Sequence, residues 1–247
     1  MTRHYQLGGQ VIEISTIHRT VHTFCWHYRA EKDTVPAFSV QTSQTDIDRE
    51  RKLYAISNPA EGPSSSVLSD GYLEMFAVYR KIAEQMPFYD TFLAHGSAVA
   101  VDGAAYLFTA PSGTGKSTHT RLWRELLGER AVMVNDDKPL IRVTETETTV
   151  YGTPWNGKHH LSRNIAVPLR AVCLLERGEE NSIKRITKSE TLPQLLILQI
   201  YRPEHPEALA RTLRLLDRMD VAFYRLHCNM DISAAELSYR TMSGTTY

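Results

Sequence analysis

Ala110-Pro111-Ser112-Gly113-Thr114-Gly115-Lys116-Ser117 is the stretch on which the class of this chain turns. A small residue, four free positions and then Gly-Lys-Ser is the pattern of a loop that wraps phosphate. Alanine stands at the first position, where glycine is commonest, and the remainder fits. Gly113 and Gly115 let the backbone turn so that successive N–H groups, those of Ser112 and Thr114 among them, point at phosphate oxygens. A helix beginning near Lys116 adds its positive end. Lys116 reaches the β- and γ-phosphates as a point charge, the Ser117 hydroxyl suits magnesium, and Thr118 follows as a helper. The pattern implies a nucleoside triphosphate with magnesium. ATP and GTP both stay open, because base recognition leaves no readable motif here.

The flanks have the form such a loop requires. The spacing predicts strands over 92–101 and 105–109, joined around Asp102-Gly103 as a hairpin. A helix follows from Lys116 to Leu127, closed by Gly128. Ala131-Val132-Met133-Val134 is a short apolar strand running into Asn135-Asp136-Asp137. A parallel strand next to the loop strand would deliver both carboxylates beside the triphosphate. One can hold magnesium and the other accept a proton from an attacking hydroxyl; a solvated turn or a helix cap is the bland alternative. Further strands are expected at 140–144, 149–152, 169–175 and 221–226. Helices are expected over 190–200, 207–219 and from Ile232. Alternating strands and helices of this kind imply an α/β core of mixed sheet flanked by helices.

Residues 1–90 read differently from residues 91–247. Val11-Ile12-Glu13-Ile14 and Ala37-Phe38-Ser39-Val40 alternate as strands of a small, half-exposed sheet. Phe24, Trp26 and Tyr28 alternate in the same way, as core residues of a strand or as the lining of an acceptor groove. Asn58-Pro59-Ala60-Glu61-Gly62-Pro63-Ser64-Ser65-Ser66 is turn-rich and reads as a loop. Leu73, Phe76, Ala77, Tyr79, Ile82, Ala83 and Met86 recur at helical spacing and mark an amphipathic helix. The result is a β-rich N-terminal lobe with a docking helix, followed by the loop-bearing domain.

Composition narrows the partners. Basic and acidic side chains number 28 each, which removes any overall pull toward nucleic acid or an anionic membrane. No run approaches the ~20 apolar residues of a membrane span. Cys25, Cys173 and Cys228 are odd in number and lack zinc-ligand spacing, so buried thiols in a cytoplasmic protein are the expectation.

His95-Gly96, the loop at 111–117 and Asn135-Asp136-Asp137 together resemble the catalytic domain of HPr kinase/phosphorylase, of the phosphoenolpyruvate carboxykinase-like group of P-loop folds. The short distance from Lys116 to Asp136 is characteristic of that group. The resemblance spans roughly residues 93–177, and the first ninety residues do not look like the HPr enzyme's N-terminal domain. It implies that Lys116 and Ser117 bind triphosphate and magnesium, that Asp136 is the base and that Asp137 turns to the metal, with exchange of those two roles left open. It also nominates His95, beside the transferred phosphate; by itself a lone histidine on an apolar strand reads as a satisfied core residue. The family's arginine-glycine-leucine segment is missing. In its place stands Gly152-Thr153-Pro154-Trp155-Asn156-Gly157-Lys158-His159-His160. Trp155 there is either a flat apolar surface or a buried ring, and Lys158 is either a cation for the γ-phosphate or solvated. Arg163 and Arg177 are further phosphate partners to weigh. The chain is closer to shorter kinase-like relatives than to HPr kinase itself, and the hexameric state of HPr kinase does not carry across, which leaves a homo-oligomer open.

The expectation is an ATP- and magnesium-dependent kinase acting on a hydroxyl of a peptide, protein or small metabolite. Two alternatives stand beside it: a nucleotide-gated binding module without phosphotransfer, and a carboxykinase- or phosphorylase-type reaction.

Overall fold

The computed structural model describes residues 1–31, 34–57, 68–157 and 159–244. The turn-rich segment at 58–66 and Lys158 lie outside the described residues. The chain divides into two compact units, Met1–Gln85 and Met86–Tyr247.

In the first unit, β1 (Thr2–Leu7) and β2 (Gln10–Ser15) form an antiparallel pair, and β3 (Phe38–Gln41) adds to β2 in parallel. Tyr5, Leu7, Ile12, Ile14 and Val40 are buried, as alternation along each strand requires. Among the described residues three α-helices accompany this small sheet: α1 (Arg19–Phe24), α2 (Gln44–Ser57) and α3 (Asp70–Gln85). The unit therefore holds more helix than strand, against the expectation of a β-rich lobe. Glu74 of α3 is fully buried, and its carboxylate accepts from Ile17 N, His18 N and Thr42 Oγ1 at 2.7, 2.8 and 2.5 Å. Phe24, Trp26 and Tyr28 are not in a strand. Phe24 ends α1 and the other two sit in a single helical turn, where Tyr28 is buried and Trp26 is 54% exposed.

His22 of α1 is buried beside Tyr5, whose hydroxyl lies 2.8 Å from Nδ1, while Nε2 lies 2.9 Å from Thr16 Oγ1 and 3.0 Å from Met1 O. A neutral ring with its proton on Nε2 satisfies these partners. Burial holds its pKa below the ordinary 6.5, against a smaller upward pull from the Met1 carbonyl. Below that pH the unfolded chain binds more protons than the folded one, so stability present above it is lost as pH falls. The melting temperature is expected to drop between pH 7 and pH 5, and to drop less steeply in His22→Asn. Equal slopes in the two proteins would rule out this source of acid sensitivity.

Among the described residues the second unit is built on nine strands. They are β4 (Thr91–Leu93), β5 (Ser97–Val101), β6 (Ala104–Thr109), β7 (Ala131–Asn135), β8 (Leu140–Val143), β9 (Thr148–Tyr151), β10 (Ala166–Arg177), β11 (Ser182–Ile186) and β12 (Ala222–Cys228). Seven follow the order β4-β8-β9-β10-β6-β5-β7, with β12 on β10 and β11 on β12. The long strand β10 makes the sheet curl: its first residues pair antiparallel with β9, and its remainder runs parallel between β6 and β12. Among the described residues four α-helices complete the unit: α4 (Lys116–Leu127), α5 (Lys188–Leu198), α6 (Pro206–Arg218) and α7 (Ile232–Ser243).

The two faces of the central strands carry separate cores. Val99, Val101, Tyr106, Phe108, Ala171 and Cys173 pack with Leu122 and Trp123 of α4 and Tyr239 of α7. Their neighbours one residue along, such as Ala98, Ala100, Leu107, Val172 and Leu174, pack with Leu195 of α5 and Leu215 of α6. Trp123 is fully buried among the rings of Tyr106, Phe108 and Tyr239, and its indole N–H donates to Ser238 Oγ at 2.8 Å.

Two local expectations are corrected. The strand expected over 92–101 breaks at 94–96, where the chain leaves β8 and enters the pairing of β5 with β6. At that crossing a Cβ on Gly96 would lie 2.9 Å from Phe108 O, so the backbones approach too closely for a larger residue. The strand carrying the acidic pair is also not the direct neighbour of the loop strand: β5 lies between β6 and β7, antiparallel to both. Strands β6 and β7 still run in the same direction, and so end at the same edge of the sheet.

Candidate active site

That shared edge gathers the residues of interest. Strand β6 ends at Thr109, the chain turns through 110–115, and α4 starts at Lys116. Gly113 and Gly115 have φ of +77° and +124°, and a Cβ on either would meet open space. The turn therefore requires glycine for its conformation rather than for room. Lys116 is buried and folds back over the loop, its ammonium donating to Ala110 O at 2.8 Å and Pro111 O at 3.4 Å. Burial holds its pKa below the ordinary lysine value, with Asp137 pulling in the opposite direction. Ser112 is exposed, Thr114 and Ser117 are partly open, and Thr118 borders a cleft beside the loop.

The acidic turn at the end of β7 is tied to that loop from beneath. Asp136 is 4% exposed, and its Oδ1 accepts from Ser97 Oγ of β5 at 2.7 Å. Ser97 Oγ lies 2.9 Å from Thr120 Oγ1, which in turn lies 3.3 Å from both Lys116 O and Ser117 O. One chain of buried hydroxyls thus joins the carboxylate to the first turn of α4. The other oxygen, Asp136 Oδ2, is buried without a hydrogen-bond partner among the described residues.

Asp137 is more open and stands among cations. His95 Nε2 lies 3.2 Å and Lys138 Nζ 3.7 Å from its Oδ1. Burial pushes the Asp137 pKa up, but the His95 contact and the charges of Lys138 and Lys116 outweigh it and hold the carboxyl below its ordinary value. For His95 the Asp137 contact pulls upward, yet burial and the same two cations win and hold the imidazole below 6.5. A neutral His95 facing an ionised Asp137 is the state at neutral pH. Burial also holds Lys138 below its ordinary value.

Asn135 fixes the shape of this turn. Its side chain is fully buried, and its Oδ1 accepts from the backbone N–H of Asp137 at 2.8 Å and Lys138 at 2.6 Å. Its Nδ2 donates to Thr153 O at 3.0 Å and Trp155 O at 3.3 Å. The 152–157 segment is thereby pinned against the acidic pair, and a Cβ on Gly157 would lie 3.3 Å from Asp136 Oδ2. Trp155 is buried, so its ring offers no open surface. Arg177 is no free phosphate partner. Its guanidinium donates to Gly113 O at 2.6 Å and to Thr114 O at 3.4 Å, bracing the loop by its carbonyls. Arg163 is exposed, and its backbone N–H joins Val134 O at 3.1 Å.

Beside the loop opens a cleft of about 390 Å³, bounded by Gly113, Thr118, Leu122, Leu175, Asn229 and Met230. That size is within the range of small-molecule sites. Sequence reading missed this cleft, because β10 and the end of β12 reach it from distant positions. It also missed Ser97, Thr120 and Lys138. The one available signal was a hydroxyl at Ser97 on the strand face that otherwise carries Val99 and Val101.

These features define a mixed α/β protein with a glycine turn, a buried lysine and an acidic turn on one sheet edge. No protein-family model matches the chain, and no curated protein matches it. Among solved structures, the Hpr(Ser) kinase/phosphatase from Coxiella burnetii aligns at 14% identity and a TM-score of 0.28, over 51% of this chain and 99% of that one. A likeness of that degree bears on neither substrate nor mechanism. Among the described residues no helix is long and apolar enough to cross a membrane.

Proposed function

We propose that this protein is a kinase that transfers the γ-phosphoryl group of ATP to a hydroxyl of a peptide, a protein or a small metabolite. The observation that carries this reading is the buried chain from Asp136 through Ser97 and Thr120 to Lys116 and Ser117. It sets a carboxylate with one unpartnered oxygen at a fixed place relative to a lysine-bearing glycine turn. Phosphoryl transfer asks a protein mainly for such positioning and for charge neutralisation.

The 110–117 turn would receive the phosphates as a P-loop does. Lys116 exchanges its two loop carbonyls for phosphate oxygens, and the adjacent cleft takes base and ribose. Ser117 and Asp137 offer hard oxygen donors that suit magnesium, which needs only one or two protein ligands when phosphates and water supply the rest. The buried Asp136 Oδ2, without a hydrogen-bond partner among the described residues, is left for the proton rather than the metal. Magnesium, when bound, neutralises charge on the β- and γ-phosphates. Asp137, held ionised, suits the metal side better than the base role, since a carboxyl below its ordinary pKa is the weaker proton acceptor. Asp136 Oδ2 then takes the proton as the acceptor oxygen bonds to phosphorus and the bond from phosphorus to the bridging oxygen breaks. His95 and Lys138 hold Asp137 and add donors and positive charge near the transferred group.

The test is incubation with magnesium and γ-labelled ATP, or GTP in parallel, together with hydroxyl-bearing peptides, metabolites and cell extract. Label is expected in an acceptor other than water. Tight nucleotide binding with no labelled acceptor in any mixture would replace the kinase reading with that of a nucleotide-gated binding module.

A further inference from the structure

The first unit carries a cleft of about 520 Å³ whose lining includes none of the residues assigned above to phosphoryl transfer. It is lined by Arg3, Arg19, His22, Trp26, His27 and Arg29 among others, and no carboxylate lines it among the described residues. Elsewhere in this unit arginines are paired: Arg51 with Asp70 at 2.6 Å and Arg80 with Glu50 at 2.6 Å. Arg3 Nε is buried with no hydrogen-bond partner, and neither Arg3 nor Arg19 has an ion-pair partner among the described residues. The Arg29 guanidinium lies 3.8 Å above the ring of Trp26, and that ring is 54% exposed. The chain as a whole is neutral, so this concentration of cations is a local feature. An unpaired buried donor costs free energy unless something satisfies it, and an exposed tryptophan beside arginines is the composition of a binding anchor.

We infer that this cleft is a docking site for an acidic peptide segment of a partner protein, with its carboxylates on Arg3 and Arg19 and its apolar stem on the Trp26–Arg29 stack. A peptide fits better than a small anion for two reasons. The arginines surround an open aromatic face, which a lone phosphate would not use. The cleft also adjoins β1, an edge strand paired with β2 on one side and touched on the other at Tyr5 and Arg29. An extended peptide can lie along the part of that edge beyond the stretch where Ala30 N–H already donates to His4 O at 3.1 Å. This inference does not depend on the kinase reading.

Fluorescein-labelled octaglutamate is the probe, measured by anisotropy on the full chain and by quenching of tryptophan emission. Trp26 is the exposed tryptophan, while Trp123 and Trp155 are buried. Octaglutamate is expected to bind, to quench that emission, and to weaken as salt rises. The double change Arg3→Gln/Arg19→Gln is expected to weaken it by about tenfold or more, because two charge-assisted contacts are lost. Arg19→Glu, at an exposed position, tests the same point without touching the half-buried Arg3. Trp26→Phe should abolish the quenching, and Lys52→Gln on α2 should change nothing. The inference is overturned if octaglutamate fails to bind, if Lys52→Gln weakens it as much as the arginine changes do, or if inorganic phosphate or oligothymidylate binds in its place.

Discussion

Asp136→Asn is expected to lower phosphoryl transfer by between about 10²- and 10⁴-fold, the usual range for removing a general base, while nucleotide affinity stays within about threefold. The change is nearly isosteric and leaves a carbonyl oxygen able to accept from Ser97, whose hydroxyl lies 2.7 Å from Oδ1. The buried chain to Thr120 and α4 is kept, and with it the glycine turn. What disappears is the anionic Oδ2, which has no partner among the described residues. Single-turnover transfer and calorimetric nucleotide binding, run on the same preparation, separate the two effects. Transfer that survives the change would move the base role to Asp137, where the His95 contact already stands. Loss of nucleotide binding together with transfer would instead mean that Asp136 holds the loop in shape.

Much of this edge could be read from residue spacing, because its parts are local. The glycine turn and helix α4 follow from a few adjacent residues, and Gly128 marks the helix end as expected. The hairpin around Asp102-Gly103 and the short apolar strand before Asn135 are equally local. What escaped reading is long-range. Ser97 and Asp136 are 39 residues apart, and Asn135 and Thr153 are 18 apart, so nothing in their neighbourhoods announces either bond. The insertion of β5 between β6 and β7 depends on sheet order, which periodicity does not encode. Helix α2 was hidden for another reason. Its sequence is rich in charge and Ile47 is its one fully buried apolar side chain, so the apolar stripe that betrays α3 is missing.

Gly152→Ala is expected to cost more than about 4 kcal/mol, a large part of the 5–15 kcal/mol that keeps a typical domain folded. The added Cβ would lie 1.8 Å from Arg163 O and 2.6 Å from Val134 O, and both obstacles are backbone rather than a side chain that can swing away. Those two segments are bonded to each other, Arg163 N–H donating to Val134 O at 3.1 Å, while Gly152 N–H donates to Ile165 O at 3.1 Å. Relief of the clash must open this junction, and Val134 is the residue before Asn135. The fold and the acidic turn should therefore fail together, seen as loss of the cooperative melting transition or of soluble protein. Gly157→Ala is the informative contrast, five residues along the same segment. Its Cβ would stand 3.3 Å from Asp136 Oδ2 and 3.5 Å from Asp136 O, a tight fit that small shifts can absorb. Melting should change little, while transfer falls because a methyl group crowds the carboxylate oxygen assigned to the proton. If Gly152→Ala melts like the parent protein, the close backbone junction is not a constraint on this fold. If Gly157→Ala transfers phosphate at the parent rate, the acceptor does not approach Asp136 from the side of the 152–157 segment.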